Sequence, residues 1–393
     1  MAGNVLLKNI QIYVENNVIE NGFVKIEEGK ITELDTMDRL NNTHFSSEVL
    51  DFNNQQVKVI PGMIDVHIHG ANGADVMDGT RAALETMSRV LPKEGTTSFL
   101  ATTMTQSNEN IEAALTNIAS YMEKQEKAQA EILGVHLEGP FVNGKRKGAQ
   151  PLEYIKKPDI DLFKKWNKLA QNQIKLVTLA PEVEGGMEFI QYLNEQGVIA
   201  SAGHTDATAE EISVAVDYGL SHITHLYNQM REFHHREPGV VGAAWLNNDL
   251  MVEIIADGIH STPEAVQTAF SLKGKDNLLL ITDSMRAKCL EDNKYDLGGQ
   301  PVIVKKGKAT LEDGTLAGST LKLGEAFKNI LSYTGCSLEE AICMSSRNAA
   351  RELGLYHRKG SISVGKDADI ILLNQKNDIL FTFCRGEIAY KGD

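Results

Sequence analysis

The chain has 393 residues, 42% of them apolar and 23% charged, with a formal net charge of −14. That length exceeds one small core and fits either one large α/β barrel with a smaller domain or two mid-sized domains. The acidic balance argues against nucleic acid or an anionic membrane as a partner, and an anionic substrate would need local cations to oppose the overall field. Cys289, Cys336, Cys343 and Cys384 form no C-x-x-C pair and read as reduced thiols of a cytoplasmic protein. The opening MAGNVLLKNIQIYVEN alternates like a strand and not like a signal peptide, and no apolar run approaches the ~20 residues of a membrane span.

The first sixty residues read as short strands, VLLKNIQIYV, GFVKIEEGKITEL and VKVIPGMIDV, with hairpin turns expected at Asn21-Gly22 and at Glu28-Gly29-Lys30. The last thirty or so, GSISVGKDADIILLN and DILFTFCRGEIAYKGD, repeat that texture. One small β-domain made of both ends, residues 1–60 plus 360–393, is therefore expected around a larger unit spanning 61–359. In that larger unit short apolar runs alternate with helical stretches. The runs are IPGMIDVHIH, TTSFLAT, ILGVHLEG, IKLVTLAPE, VIASAGH, SHITHLYN, VEIIADG and LLLITDS. RAALETMSRVLPKEG, NIEAALTNIASYMEKQ, GGMEFIQYLNEQG and ATAEEISVAVDYG read as amphipathic helices between them. Eight such units fit a (β/α)8 barrel with a buried parallel sheet. An open doubly wound sheet is the alternative, but no G-x-G-x-x-G follows the first strand.

In such a barrel the chemistry sits at the C-terminal ends of the strands. Those ends carry His67 and His69, then His136 and Glu138, His204, His225, Asp257 with His260, and Asp283. A lone histidine there is more often a packing residue than a ligand. His67 and His69, however, share one face of a strand, and Glu138 and Asp283 are costly after apolar runs unless paired or bound to metal. With His136 counted inside its strand, the five histidines His67, His69, His204, His225 and His260 share one rim with the carboxylates Glu138 and Asp283, which points to a divalent metal centre. His136 and His222 lie inside strands, as core residues or as groups that orient a ligand. His44 and His357 read as surface residues.

PGMIDVHIHG resembles the opening signature of the amidohydrolase superfamily. HLEGPF, KGA, SAGHTDA, THLYNQM, REPG, DGIH, TDSM and LAGS are similar, in order and spacing, to motifs of the N-acetylglucosamine-6-phosphate deacetylase family. The resemblance runs from about residue 5 to the C-terminus. It implies a (β/α)8 TIM-like barrel with a small β-sandwich from both chain ends. It implies Glu138, His204 and His225 as principal metal ligands, with His67 and His69 as the pair that goes with a second ion. It further implies Asp283 as the catalytic aspartate, and Ala149, Asn228, Gln229, Arg236, Asp257, His260, Leu316, Ala317 and Gly318 as substrate contacts. A homodimer is implied in which Arg236, with His234 or His235, completes the partner's site. Gln150 stands where members often have histidine, and Gln229 where alanine is usual.

A metal ion that activates water and polarises an acetyl carbonyl, with Asp283 as proton carrier, would hydrolyse the amide of a phosphorylated N-acetyl amino sugar. Histidine and carboxylate donors suit zinc, iron, cobalt or nickel, one or two per chain. Arg236 is the best phosphate anchor, and Lys145-Arg146-Lys147 reads as a solvated loop face. The alternatives are a deacetylase for the epimeric N-acetylgalactosamine 6-phosphate, another amidohydrolase such as a dihydroorotase, and an inactive scaffold that would have lost its ligands.

Overall fold

The computed structural model of the chain describes residues 4–15, 17–41, 48–53 and 55–392; His44 lies outside them. The N-terminal strands are β1 (Val5–Val14), β2 (Asn17–Glu27), β3 (Lys30–Thr36), β4 (Glu48–Asp51) and β5 (Lys58–Pro61). Glu28 and Gly29 form the turn between β2 and β3, both at positive φ (53° and 89°). Asn21-Gly22, in contrast, is not a turn. The chain reverses after Val14, which pairs with Asn17, and Gly22 lies inside β2 opposite Ile10. A Cβ there would meet the Asp35 carbonyl oxygen at 2.7 Å and Ile12 at 2.8 Å. The glycine serves close strand approach beside a bulge at Asn9, whose φ is 58°.

Next comes the barrel: β6 (Met63–Ile68), β9 (Thr96–Thr103), β10 (Glu131–Glu138), β11 (Ile174–Leu179), β12 (Ile199–Ala202), β13 (Leu220–Ile223), β14 (Met251–Ile254) and β15 (Leu278–Leu280). A small hairpin, β7 (Gly70–Ala71) and β8 (Ala74–Asp75), follows β6. The eight barrel strands pair in sequence order. A parallel bridge from Ile68 to Ser284 closes the ring, with the Asp283 N–H donated to the His67 carbonyl at 2.8 Å. Every residue of β6 and β9 is buried, as a sheet covered on both faces requires.

One helix follows each strand: α1 (Arg81–Val90), α2 (Asn108–Met122), α3 (Ile160–Leu169), α4 (Gly186–Glu195), α5 (Ala209–Asp217), α6 (Gly239–Leu246), α7 (Pro263–Lys273) and α8 (Leu323–Thr334). In α1 the buried Ala83, Leu84, Met87 and Val90 recur at helical spacing. A capping box of Thr208 and Glu211 starts α5, and loss of such a cap costs about 1 kcal/mol. Polar side chains under the rim pair with one another: Thr178 Oγ1 meets Thr224 Oγ1 at 2.7 Å, and His136 Nε2 meets Thr178 Oγ1, also at 2.7 Å.

Between β15 and α8 the segment 294–310, to which the periodicity gave no element, forms an antiparallel sheet of β16 (Lys294–Leu297), β17 (Gln300–Lys305) and β18 (Lys308–Thr310). Its Leu297, Val302 and Val304 bury against Met104, Met285 and Ala317. After α9 (Leu338–Ile342) and α10 (Asn348–Glu352), the chain returns as β19 (Ile370–Leu373), β20 (Ile379–Cys384) and β21 (Glu387–Lys391). The resulting sheet runs β21-β20-β19-β5-β1-β2-β3, with β4 beside β1. Strands from both ends thus make the sandwich, over a core that includes Leu7, Ile12, Val24, Val59, Ile370 and Phe383. Buried Lys359 ties it to the barrel through Asp369, Asp367 (3.3 Å) and Glu131 (2.7 Å) on β10. No described helix is long and apolar enough to cross a membrane.

Candidate metal and substrate site

The strand ends converge at one mouth of the barrel. β6 contributes His67 and, just beyond its end, His69; β10 ends in Glu138; His204, His225 and Asp283 follow β12, β13 and β15 by two or three residues. The last three hold left-handed backbones, with φ of 49°, 31° and 48°. For non-glycine residues this costs about 1–3 kcal/mol each and is kept only where surrounding structure enforces it. It turns each side chain inward the moment its strand ends.

Their donor atoms crowd together. His204 Nε2 and His225 Nε2 lie 3.2 Å apart, at 3.3 and 3.4 Å from Glu138 Oε1. His69 Nε2 lies 3.2 Å from both Glu138 Oε2 and Asp283 Oδ1, and His67 Nε2 lies 3.3 Å from Glu138 Oε1 and 3.4 Å from Asp283 Oδ1. His204 donates its Nδ1–H to the Arg146 carbonyl at 2.8 Å, and His67 donates its own to Glu253 at 2.9 Å. Each therefore presents its Nε2 lone pair to the centre. Converging lone pairs and carboxylate oxygens repel unless a cation sits among them, and buried His67 Nε2 has no hydrogen-bond partner among the described residues. Glu138 with His204 and His225, and Glu138 with His67 and His69, each offer donor atoms within 4.8 Å of one another. The donor set fits divalent metal, with Glu138 common to both groups.

The same carboxylates draw positive charge onto the rings, a place that a bound cation would take over. Burial opposes charge on His67, but Glu253, Asp283 and Glu138 push its pKa well above the ordinary range. Burial likewise opposes charge on His69, yet Asp283 and Glu138 lift it to about 10. Burial works to raise the Glu138 carboxyl, while His67, His204 and His225 hold it well down. The cluster carries enough negative potential to attract cations.

Beside it opens a cavity of about 310 Å³. Ala149, Asn228, Gln229, His260, Leu316 and Gly318 line it, as do Met104 just after β9, Leu297 of the 294–310 sheet, and Thr315. Three of the expected substrate contacts do not. Asp257 sits behind His260, its Oδ2 accepting from His260 Nδ1 at 2.7 Å. Ala317 is fully buried in the core of the 294–310 sheet. Arg236 is exposed on the 231–238 loop beside His235, 2.8 Å away. No Lys or Arg lines the cavity among the described residues. Lys145 and Arg146 face Asp206 at 3.6 and 3.0 Å. His357 is exposed and His136 is a core residue.

Two contributors carried no sequence signal for their part in the site, the Arg146 carbonyl and Glu253; a third, Gln150, stood out only for the histidine it replaces. Gln150 is buried and donates its side-chain amide to Glu138 Oε2 at 2.9 Å.

A parallel (β/α)8 barrel with a histidine–carboxylate centre at its C-terminal mouth defines the class, a hydrolase of the metal-dependent barrel type. The chain belongs to the amidohydrolase family, whose profile matches residues 58–389. Within it, the chain is 49% identical to N-acetylglucosamine-6-phosphate deacetylase of Bacillus subtilis (strain 168), over 99% of this chain and 98% of that one. It is 36% identical to N-acetylgalactosamine-6-phosphate deacetylase of Escherichia coli O157:H7, over 84% of this chain and 87% of that one. Its fold superposes with a TM-score of 0.91, at 26% identity, on a substituted N-acetyl-D-glucosamine-6-phosphate deacetylase from Mycobacterium smegmatis solved in complex with N-acetyl-D-glucosamine-6-phosphate. That match covers 98% of this chain and 99% of the other.

Proposed function

We propose that the chain hydrolyses the acetamide of N-acetyl-D-glucosamine 6-phosphate, giving acetate and D-glucosamine 6-phosphate, in the cytoplasm and in amino sugar catabolism. The observation that carries this is the Glu138–His204–His225 cluster opening, with His69 and Asp283, into a sugar-sized cavity. The 49% identical deacetylase supports it. The barrel, taken as residues 61–359, would carry the chemistry, and the sandwich, 1–60 plus 360–393, would brace it.

Glu138, His204 and His225 would hold one divalent ion, and His67 and His69 would provide for a second; zinc, iron, cobalt and nickel all suit these donors. When bound, the ion polarises the acetyl carbonyl and lowers the pKa of water toward ~7. Asp283 takes the proton from the attacking water as oxygen adds to the acetyl carbon. It then passes that proton to the amine nitrogen as the carbon–nitrogen bond breaks. His260, fixed through Nδ1 by Asp257, presents its ring to the carbonyl oxygen or a sugar hydroxyl.

The phosphate needs a cation, and among the described residues no Lys or Arg of this chain lines the cavity. Exposed Arg236, with His234 or His235, would supply it to the neighbouring chain of a homodimer. Main-chain donors would come from beyond Asn228, since the Asn228 N–H is already given to the His225 carbonyl at 3.0 Å. The second reading, the galactosamine epimer, is favoured by the 36% identical relative. Elemental analysis together with amine release from both epimeric sugar phosphates tests the proposal. Metal present and faster release from the gluco epimer are expected; a preference for the galacto epimer selects the second reading, and no release from either refutes both.

A further inference from the structure

We infer that Glu253 is a positioning residue for both donor groups of the metal centre, held in place by His222 and Glu352. The inference rests on reading His67 and His225 as metal-holding residues.

Glu253 lies on β14, fully buried, and does not line the cavity. Its carboxylate receives three hydrogen bonds. Oε2 accepts from His67 Nδ1 at 2.9 Å and from the His225 main-chain N–H at 3.0 Å, and Oε1 accepts from His222 Nε2 at 3.1 Å. An ionised carboxylate only accepts. Against it, His67 must carry its proton on Nδ1 and turn the Nε2 lone pair toward Glu138 and Asp283. The bond to the His225 N–H clamps a main chain held at φ 31°, the turn that aims the His225 ring at His204 and Glu138. One carboxylate thereby orients a histidine of each donor group, one by its ring and the other by its backbone.

A lone buried carboxylate is costly, and the protein offsets it from the far side. His222 donates from its other nitrogen to Glu352 Oε1 at 2.8 Å. The ring thus lies between two carboxylates, and charge alternates along Glu253, His222 and Glu352. A net negative unit behind His67 also makes that imidazole a stronger donor toward a cation.

A rival use of the same carboxylate is as a ligand, since His67, His136 and Glu253 also offer donor atoms within 4.8 Å of one another. Hydrogen bonds argue against it. His136 already meets Thr178 Oγ1 at 2.7 Å, and both Glu253 oxygens are taken by donors.

Metal-loaded wild type and Glu253→Gln are to be compared by graded chelator challenge with metal per chain as the readout, by kcat and KM taken separately, and by thermal unfolding. The amide can accept at only one end, so about 10–100-fold weaker metal retention is expected. A lowered kcat with KM within about twofold is expected beside it, because Glu253 touches no substrate surface. Wild-type metal retention in a folded variant overturns the inference. So does a loss of thermal stability with unchanged chelator sensitivity and kcat. If Glu253→Gln does not fold, Glu352→Gln decides. Glu352 keeps 15% of its side chain exposed and contacts no donor residue directly. A smaller loss of metal retention in that variant supports the chain of contacts, and none overturns it. Metal-free wild type would instead overturn the reading of the centre itself.

Discussion

Gln150 and His69 meet the same oxygen of one carboxylate: Glu138 Oε2 lies 2.9 Å from the Gln150 amide and 3.2 Å from His69 Nε2. The other end of the Gln150 side chain accepts the Thr105 N–H at 2.9 Å, so the amide is a strut between β9's end and the candidate metal centre. Hydrogen bonds to charged groups are worth about 1.5–3 kcal/mol. Gln150→Leu should therefore lower kcat/KM by roughly tenfold or more, with the larger loss in kcat. Unchanged steady-state kinetics would show that Glu138 needs no such strut.

Asp283→Asn should abolish turnover while leaving metal bound. The amide keeps nearly the same shape but cannot accept the proton from water, and a positioned acid–base group is worth about 10²–10⁴ in rate. Metal analysis and single-turnover measurements on the same preparation separate the two effects. Near-wild-type turnover would remove the proton-carrier role.

Arg236→Ala should weaken the phosphorylated substrate far more than unphosphorylated N-acetylglucosamine, by ~10–100-fold in kcat/KM. If Arg236 serves the neighbouring site, co-refolding Arg236→Ala with Asp283→Asn should recover activity, because one site in each mixed dimer keeps an intact aspartate and the other chain's arginine. No recovery would place Arg236 in its own chain's site or outside catalysis.

The sandwich–barrel junction should set the acid limit of stability. Burial works to raise the Asp367 carboxyl, but Lys359, Lys30 and Arg358 draw it from 3.8 down to about 2. A group depressed on folding contributes stability that is complete above its unfolded value and is lost as pH falls through the folded one. Asp367 should therefore contribute ~2 kcal/mol above about pH 4, fading toward pH 2. Asp367→Asn should lower the melting temperature at pH 7 and narrow its difference from wild type near pH 2. A difference independent of pH would mean that packing, not charge, is what the residue provides.

The fold class and the strand-end donors were legible because both follow from period and chain order. Eight β-branched runs separated by amphipathic helices leave few architectures, and that architecture assigns the chemistry to one rim. Asn21-Gly22 misled because the pair that permits a reversal also permits close strand approach, and only the register separates the two. The 294–310 sheet is short and edged with lysines, so its alternation is weak. Glu253 is one acid in a four-residue strand, MVEI; nothing local distinguishes it from a surface acid. The Arg146 carbonyl belongs to the main chain and has no letter in the sequence at all. Arg236 is visible in the sequence as a residue type suited to phosphate, but its place on an exposed loop away from its own chain's cavity belongs to the tertiary structure.

The pairing of β5 with β19 also orders the birth of the molecule. Lys58 and Asn377, 319 positions apart, are joined by a 2.8 Å hydrogen bond, and Val59 and Ile60 take their neighbours Leu372 and Ile371 from the far end of the chain. During synthesis the first strands must wait with one edge bare until the whole barrel has emerged. Such contacts slow folding and leave intermediates prone to associate through unpaired edges. A chain cut short before Ile370 keeps that edge for good, and the expected product is aggregate instead of a free-standing barrel.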